Sequence, residues 1–138
     1  MSALVVPATA VEILRRYRRV AVVGLSDRPE RPSYGVARYL QAAGYAIVPV
    51  NPAVRAVLGV TAVARLADVP PPVEVVEIFR RSELVAPVVD DAIATGARAI
   101  WMQDGVVDAA AAARAEAAGL LVVMDRCMLR DHAAGLGG

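Results

Sequence analysis

Lysine is absent from this chain of 138 residues, and all fifteen basic residues are arginine. Without a lysine amine no Schiff base can form, so pyridoxal-phosphate enzymes are excluded. Cysteine is almost absent as well, because Cys127 is the only one. A single thiol excludes an internal disulfide and a cysteine-rich zinc site, and it favours a reducing compartment. We therefore expect a cytoplasmic protein.

Net charge is also nearly missing, at +1 near neutral pH, so no overall field attracts nucleic acid or an acidic membrane surface. The apolar runs are interrupted by arginine, glycine or proline and are shorter than the roughly 20 residues of a membrane-spanning helix. The stretch from Met1 to Ala10 lacks the basic region of a signal peptide. These absences predict a protein that has neither nucleic acid nor a membrane as its partner.

What the chain has in abundance is apolar side chains: 57% of its residues are hydrophobic, and only 21% are charged. A chain of this composition is too apolar to be disordered and can cover a sheet on both faces. Its length fits one domain of the usual size. We predict a single domain over residues 1–138.

Short β-branched runs alternate with helical patterns along the sequence. Strands are predicted at Val20 to Gly24, Ala46 to Val50, Val73 to Phe79, Ala99 to Met102 and Leu120 to Met124. Helices are predicted at Thr9 to Tyr17, from Ser33 to Gly44, from Ser82 to Gly96 and at Asp108 to Ala118. The region of Leu58, Val60 and Val63 is poorly defined. The pattern predicts an α/β protein with a Rossmann-like, doubly wound, mainly parallel sheet of five or six strands and helices on both faces.

Three hydroxyl side chains stand where these helices are predicted to begin. Thr9, Ser33 and Ser82 each precede a run with helical spacing. Because such side chains accept hydrogen bonds from the first free backbone N–H groups of a helix, we predict that all three are N-caps.

Parallel sheets of this kind bind ligands at the carboxyl ends of their strands. The only asparagine, phenylalanine, tryptophan and cysteine of the chain each end or follow a predicted strand: Asn51, Phe79, Trp101 and Cys127. Phe79 and Trp101 have an alternative interpretation as core residues. The clustering predicts a binding edge.

The loop after the first strand should cradle a phosphate. It runs from Gly24 past Ser26 to Ser33 and Gly35, with two glycines far apart rather than the G-x-G-x-x-G fingerprint of dinucleotide-binding folds. A long loop of this type places the hydroxyls of Ser26 and Ser33 and the amides of a helix N-terminus around the anion. The alternative is a plain connection in which Ser33 is only a cap.

The second strand ends in Val50, Asn51 and Pro52, where an NAD-binding domain would carry an acidic residue for the ribose. Prolines on both sides predict a rigid apolar lip for an adenine, with amide hydrogen bonds from Asn51. The alternative is an ordinary turn.

Two arginines, Arg80 and Arg81, follow the third predicted strand and precede a helix N-terminus. A cation there is disfavoured by the helix dipole, which an anionic ligand would offset. Together with Arg28 and Arg31 of the first loop, they could face a ligand with several phosphate charges, the alternative being solvated surface arginines.

Several segments, taken in order, resemble the family of small stand-alone CoA-binding proteins. They are VAVVGLSDRPERPSYGVARYLQAAGY, IVPVNP, EIFRRSE, AIWMQDGV and VVMDRCMLRDH, and they span most of the chain. That family is similar to the CoA-binding N-terminal domain of the succinyl-CoA synthetase alpha subunit. The resemblance implies a Rossmann-like fold and coenzyme A, or an acyl-CoA, as the ligand.

The resemblance also implies which residues bind the cofactor. At the diphosphate and pantetheine it places Gly24, Ser26, Ser33 and Tyr34; at the adenine nucleotide, Val50, Asn51 and Pro52; and along the third-strand edge, Phe79, Arg80 and Arg81. Asp27, Arg28 and Gln103 in the matching segments complete the predicted cofactor-binding set. Asp131 departs from the glutamate expected before His132, and a pairing of this acid with the histidine is left open.

No complete catalytic apparatus is predicted. In the synthetase the phosphorylated histidine comes from a second domain, so we expect no acyl-CoA ligation by this chain alone. Cys127 and His132 are five residues apart, which separates them by about 140° on a helix, and they could meet only if the segment were not helical. One cysteine and one histidine also make a metal site improbable.

Two function classes remain. The first is a CoA-binding module that acts as a carrier, a sensor or a partner subunit, with a protein partner or a homo-oligomer left open. The second is an NADP-dependent oxidoreductase or another nucleotide-binding enzyme, in which the arginines would take the 2′-phosphate. The first class is favoured by the long first loop and by the missing acid after the second strand.

Overall fold

The structure is a computed structural model that describes residues 5–136. Residues 1–4, which belong to the stretch assessed for a signal peptide, lie outside it. The strands in chain order are β1 (Arg19–Val23), β2 (Ala46–Val50), β3 (Ala56–Val57), β4 (Val60–Thr61), β5 (Val75–Ile78), β6 (Ala99–Met102) and β7 (Leu121–Val123). The helices are α1 (Ala8–Arg16), α2 (Pro32–Ala42), α3 (Val85–Ala94), α4 (Ala109–Ala117) and α5 (Met128–Gly135).

Five strands form one parallel sheet in the order β2-β1-β5-β6-β7. This confirms the predicted α/β class and the Rossmann-like parallel sheet. Strands β5 and β6 are buried along their whole length, as expected for strands covered by helices on both faces. The poorly defined region of the sequence forms the small antiparallel pair β3 and β4.

Two apolar clusters cover the two faces of the sheet. Helices α3 and α4 pack on one face, over side chains such as Val23, Ile78 and Met102. Helices α1, α2 and α5 pack on the other face, where Val22 and Trp101 are buried. The alternation along each strand sends successive side chains into opposite clusters.

All three predicted N-caps are wrong. Thr9 and Ser33 lie inside the first turns of α1 and α2, whose N-cap positions are occupied by Pro7 and Arg31 without side-chain cap bonds. Ser82 begins a short 3₁₀ turn, Ser82–Leu84, that leads into α3, and its hydroxyl oxygen accepts from the backbone N–H of Val107 (2.9 Å). The oxygens of Ser33 and Ser82 accept hydrogen bonds from neighbouring loops rather than from helix ends.

The strand order places a topological switch point between β1 and β5. From β1 the chain crosses through α2 to β2 on one side, and from β5 it crosses through α3 to β6 on the other. Helices α2 and α3 lie on opposite faces, so the two loops diverge and leave a crevice at the carboxyl ends of β1 and β5. Open α/β sheets bind their ligands in such crevices.

Candidate functional site

A cavity of about 730 Å³ lies at this switch point. We call it the large cavity. It is lined by Gly24, Ser26, Arg28, Arg31, Pro32, Ser33, Val36, Phe79, Arg80, Arg81, Gln103, Asp104, Gly105, Val106 and Cys127. Its volume is within the roughly 300–1,000 Å³ of small-molecule and cofactor sites.

Gly24 allows the ends of β1 and β5 to approach each other. Its φ of +86° is in the left-handed region, and a Cβ at this position would overlap the carbonyl oxygen of Phe79. Both the backbone conformation and the close approach therefore require glycine. The crevice depends on this residue for its shape.

The first loop is held in a compact form by its own serines. The backbone N–H of Ser26 donates to Ser33 Oγ (3.0 Å), and the backbone N–H of Arg28 donates to Ser26 Oγ (3.0 Å). The loop is thereby fixed across the start of α2, whose N-terminus carries positive partial charge. Both serines line the large cavity.

Four arginines give this cavity a positive lining. Arg28 is paired with Glu30 at 2.8 Å, and Arg81 lies 4.0 Å from Glu83. Arg31 and Arg80 have no acidic partner within 4.0 Å in the part of the chain that the structure describes. Exposed ion pairs contribute little, so all four guanidinium groups are available to an anion.

One carboxylate also lines the large cavity, that of Asp104. It is engaged by Arg130 through two hydrogen bonds of 2.8 and 3.0 Å. The Arg130 guanidinium holds the pKa of Asp104 below its usual range. The acid is therefore neutralised by a partner outside the cavity, and the lining keeps its positive character.

At the end of β6 the cavity is lined by an uncharged amide, that of Gln103, which contacts the buried acid Glu77. Gln103 is 4% exposed, and its Nε2 donates to the Oε2 of Glu77, which is fully buried in β5. Burial raises the pKa of Glu77 to about 8. The sequence analysis named Gln103 but did not single out Glu77, because nothing in the strand pattern distinguishes this acid from a solvent-facing one.

A smaller cavity of about 240 Å³ lies next to the large one, on the α3 face. It is lined by Val23, Val50, Ala64, Arg65, Leu66, Arg80, Leu84, Val88 and Asp91. Arg80 lines both cavities. A ligand extending from one to the other would therefore pass this arginine.

Eight of the thirteen predicted binding residues line the large cavity: Gly24, Ser26, Arg28, Ser33, Phe79, Arg80, Arg81 and Gln103. Val50 lines the small cavity. The remaining four, Asp27, Tyr34, Asn51 and Pro52, line neither of these two cavities. Asp27 and Pro52 are exposed, and Tyr34 packs against the apolar cluster of α1, α2 and α5.

Asn51 has a structural role that the sequence did not reveal. Its Nδ2 donates to the carbonyl of Leu25 (3.0 Å), and its Oδ1 accepts from the N–H of Ala53 (2.9 Å). The side chain thus ties the loops after β1 and β2 together. Amide hydrogen bonds from Asn51 to an adenine would have to replace these bonds.

The rare side chains do not all share one environment. Trp101 is fully buried and donates from Nε1 to the carbonyl of Arg126 (2.9 Å), in agreement with its alternative interpretation as a core residue. Phe79 and Cys127 line the large cavity. Two of the four rare side chains therefore share one cavity, and the other two, Asn51 and Trp101, do not line it.

Cys127 and His132 have separate environments. Cys127 is the N-cap residue of α5, whereas His132 lies inside that helix with its Nδ1 2.9 Å from the hydroxyl of Tyr39. Burial, and next the charge of Arg18, lowers the pKa of His132. The open pairing of Asp131 with His132 is not formed, because Asp131 is buried in a two-bond ion pair with Arg126 (2.7 and 2.9 Å).

The predicted set omitted seven residues of the lining, and three of them form the loop after β6. Asp104, Gly105 and Val106 follow Gln103 directly and contribute to the large cavity. The signal was present, because an Asp-Gly pair after a buried strand indicates a turn at the carboxyl edge of the sheet. Gly105 adopts a φ of +78° in that turn.

Two further observations concern residues 5–136. No group of three or more histidine, cysteine or acidic side chains converges there in a way that could hold a metal ion. None of the helices described has the length and hydropathy that crossing a bilayer demands.

Comparison with known proteins identifies the family of this chain. A family model described as "CoA binding domain" matches residues 18–133. The chain is 44% identical to the uncharacterized protein YneT of Bacillus subtilis over 122 residues, which cover 88% of this chain and 90% of that protein. A solved hypothetical protein from Pyrococcus horikoshii is 37% identical, with a TM-score of 0.86 and 96% of each chain covered.

A larger enzyme contains a similar domain. The dinucleotide-forming acetyl-coenzyme A synthetase 1 of Ca. Korarchaeum cryptofilum is 25% identical, with a TM-score of 0.71, over 82% of this chain and 27% of the synthetase chain. The family suggested by the sequence segments therefore agrees with the family model and with the structural neighbours.

Proposed function

We propose that this chain, which belongs to the CoA binding domain family, holds coenzyme A or an acyl-CoA in the large cavity at the switch point. The observation that carries the proposal is the four-arginine lining around the compact first loop, set against one carboxylate that Arg130 already neutralises. Coenzyme A carries a diphosphate and a 3′-phosphate, and charge-assisted hydrogen bonds from arginine suit both groups.

We infer a pose for the ligand from the residues that line the two cavities. The diphosphate lies against the first loop and the start of α2, where Ser26, Ser33 and Arg31 are found. The adenine extends past Arg80 into the small cavity beside Val50. The pantetheine arm runs the other way along Phe79 and Gln103 towards Cys127.

We assign the protein a binding role, as a carrier, a sensor or a partner subunit in the cytoplasm, with no turnover of its own. The two groups best suited to nucleophilic catalysis are Cys127 and His132, but the Nδ1 of His132 lies at the Tyr39 hydroxyl and, among residues 5–136, no hydrogen bond joins it to Cys127. The alternative of an NADP-dependent oxidoreductase is not favoured, because the loop from Gly24 to Gly35 lacks the closely spaced glycines with which dinucleotide-binding domains hold a pyrophosphate.

The arginines provide the test. Replacing Arg80 or Arg81 with alanine should weaken CoA binding about tenfold or more, since a hydrogen bond to a charged group contributes about 1.5–3 kcal/mol. Titration calorimetry measures the affinity. Arg98→Ala is the matched control, because Arg98 is exposed and precedes β6 at the opposite edge of the sheet; it should leave the affinity unchanged.

Dephospho-CoA separates the two phosphate roles. If an arginine holds the 3′-phosphate, its replacement by alanine should not weaken the binding of dephospho-CoA. If it holds the diphosphate, the replacement should weaken the binding of both ligands. If neither alanine variant changes the affinity for either ligand, the arginines are solvated surface residues and the proposed site is wrong.

A further inference from the structure

Glu77 is a buried acid for which the fold offers no structural explanation. It lies on the central strand β5, 0% exposed, paired in register with Val22 of β1 and Trp101 of β6. Its side chain shares a face with Val75 and Trp101, both of which are fully buried. An apolar residue of similar size at such a position is usually neutral or stabilising. Stability therefore does not account for a carboxyl group there.

Among residues 5–136, the single polar partner of this carboxyl group is the side chain of Gln103. Gln103 Nε2 donates to Glu77 Oε2, and Glu77 Oε1 is left without a partner among residues 5–136. Leaving a buried oxygen unpaired is unfavourable. Burying this carboxyl group therefore lowers stability, and no second hydrogen bond within residues 5–136 offsets the loss.

Gln103 connects this buried acid to the large cavity. Gln103 is 4% exposed and lines the cavity, as Phe79 and Cys127 do. Because Nε2 is directed at Glu77, the amide oxygen on the other branch of the group is turned away from the acid. Within residues 5–136 no donor reaches that oxygen. Glu77 therefore fixes an amide whose acceptor remains free for a ligand.

We propose that Glu77 is a positioning residue of the CoA site, which holds the Gln103 carboxamide so that its oxygen accepts an amide N–H of the pantetheine arm. This inference rests on the proposed function. Pantetheine contains two secondary amides, and an acceptor held in one orientation recognises such an N–H without the entropy cost of ordering a free side chain. The arginines attract the nucleotide end, so the Glu77 and Gln103 pair sets the preference for the arm.

The test compares two ligands that share the nucleotide. Coenzyme A has the arm, and adenosine 3′,5′-bisphosphate lacks it. Glu77→Met removes the acceptor that holds Gln103 and should weaken CoA binding about tenfold, the effect of one lost neutral hydrogen bond. It should leave the affinity for the bisphosphate within about twofold. Glu77→Gln keeps an oxygen for Gln103 Nε2 and should restore the affinity for CoA.

Two further variants distinguish the loss of this contact from a general folding defect. Gln103→Met should cause the same tenfold loss, and the double variant should lose no more than either single one, because both changes remove one shared interaction. Tyr45→Phe is the matched control: it removes another buried hydrogen bond, from the Tyr45 hydroxyl to the carbonyl of Leu14. It should lower stability without altering CoA affinity.

The outcomes separate the two proposals. If wild-type protein binds no CoA, the proposed function is wrong and this inference falls with it. If wild-type protein binds CoA and Glu77→Met binds it equally well, or if both ligands weaken in parallel, only the positioning role is refuted.

Discussion

Replacing Glu77 with glutamine should make the stability of the protein less dependent on pH. Burial raises the pKa of Glu77 from its ordinary value of 4.5 to about 8. In the unfolded chain the carboxyl group ionises near its ordinary value, whereas in the folded protein it keeps its proton up to about pH 8. The unfolded state therefore binds fewer protons than the folded state between these two values.

The sign and the size of the effect follow from this difference. The stability that protonated Glu77 contributes is fully present below about pH 4.5 and is lost as the pH rises towards 8. Above about pH 8 this contribution no longer changes. One pKa unit corresponds to about 1.4 kcal/mol, so the whole window is worth roughly 5 kcal/mol at most. The variant has no carboxyl group to titrate and should lack this loss.

Urea unfolding from pH 5 to pH 9 measures the effect, with the fluorescence of Trp101, the only tryptophan, as the probe. The unfolding free energy of Glu77→Gln minus that of wild type should increase by up to about 1.4 kcal/mol per pH unit until about pH 8 and then level off. Glu116→Gln, on the exposed surface of α4, is the control and should show no such trend. A Glu77→Gln difference that stays constant over the range would refute the reasoning.

Three further predictions concern the fold around the site. Gly24→Ala should destabilise the protein by about 3 kcal/mol or more, because a left-handed φ and an overlap with Phe79 both penalise a Cβ; an unfolding free energy near that of wild type would contradict it. Gly35→Ala should stabilise the protein by about 0.5–1 kcal/mol, since its Cβ would meet no atom within 4 Å and alanine favours the helix; a loss of stability in urea would be the opposite result. The imidazole of His132, followed by NMR as the only histidine, should titrate below its ordinary pKa of 6.5 because it is partly buried and faces Arg18; a midpoint above 6.5 would show that the burial is not effective.

The sheet could be predicted from the sequence because its signals are local. The strands of the sheet are short apolar runs that end before polar loops, and the four predicted helices present apolar residues with helical spacing. Helix α5 was not predicted. The helix starts could not be predicted from local signals. Ser33 and Ser82 have the side chains of N-caps, but their oxygens accept from Ser26 and Val107, and those partners depend on tertiary structure.

The lining of the large cavity could be predicted in outline and not in detail. The carboxyl ends of parallel strands share one edge, and eight of the predicted residues accordingly line one cavity. Strand order decides which of them face one crevice, and the order is not encoded in any single segment. Gly24 and Phe79 meet because β1 is next to β5, whereas Asn51 follows β2 and is occupied in joining two loops. Glu77 escaped notice because its burial depends on both neighbouring strands.

Ligand choice tests the central claim most directly. Wild-type protein should be melted in the presence of CoA and, separately, of NADP, and both ligands should be titrated by calorimetry. We predict that CoA binds more tightly and raises the melting temperature, since a ligand at 100 times its Kd adds about 2.7 kcal/mol to the folded state. Micromolar binding of NADP without any binding of CoA would contradict the account.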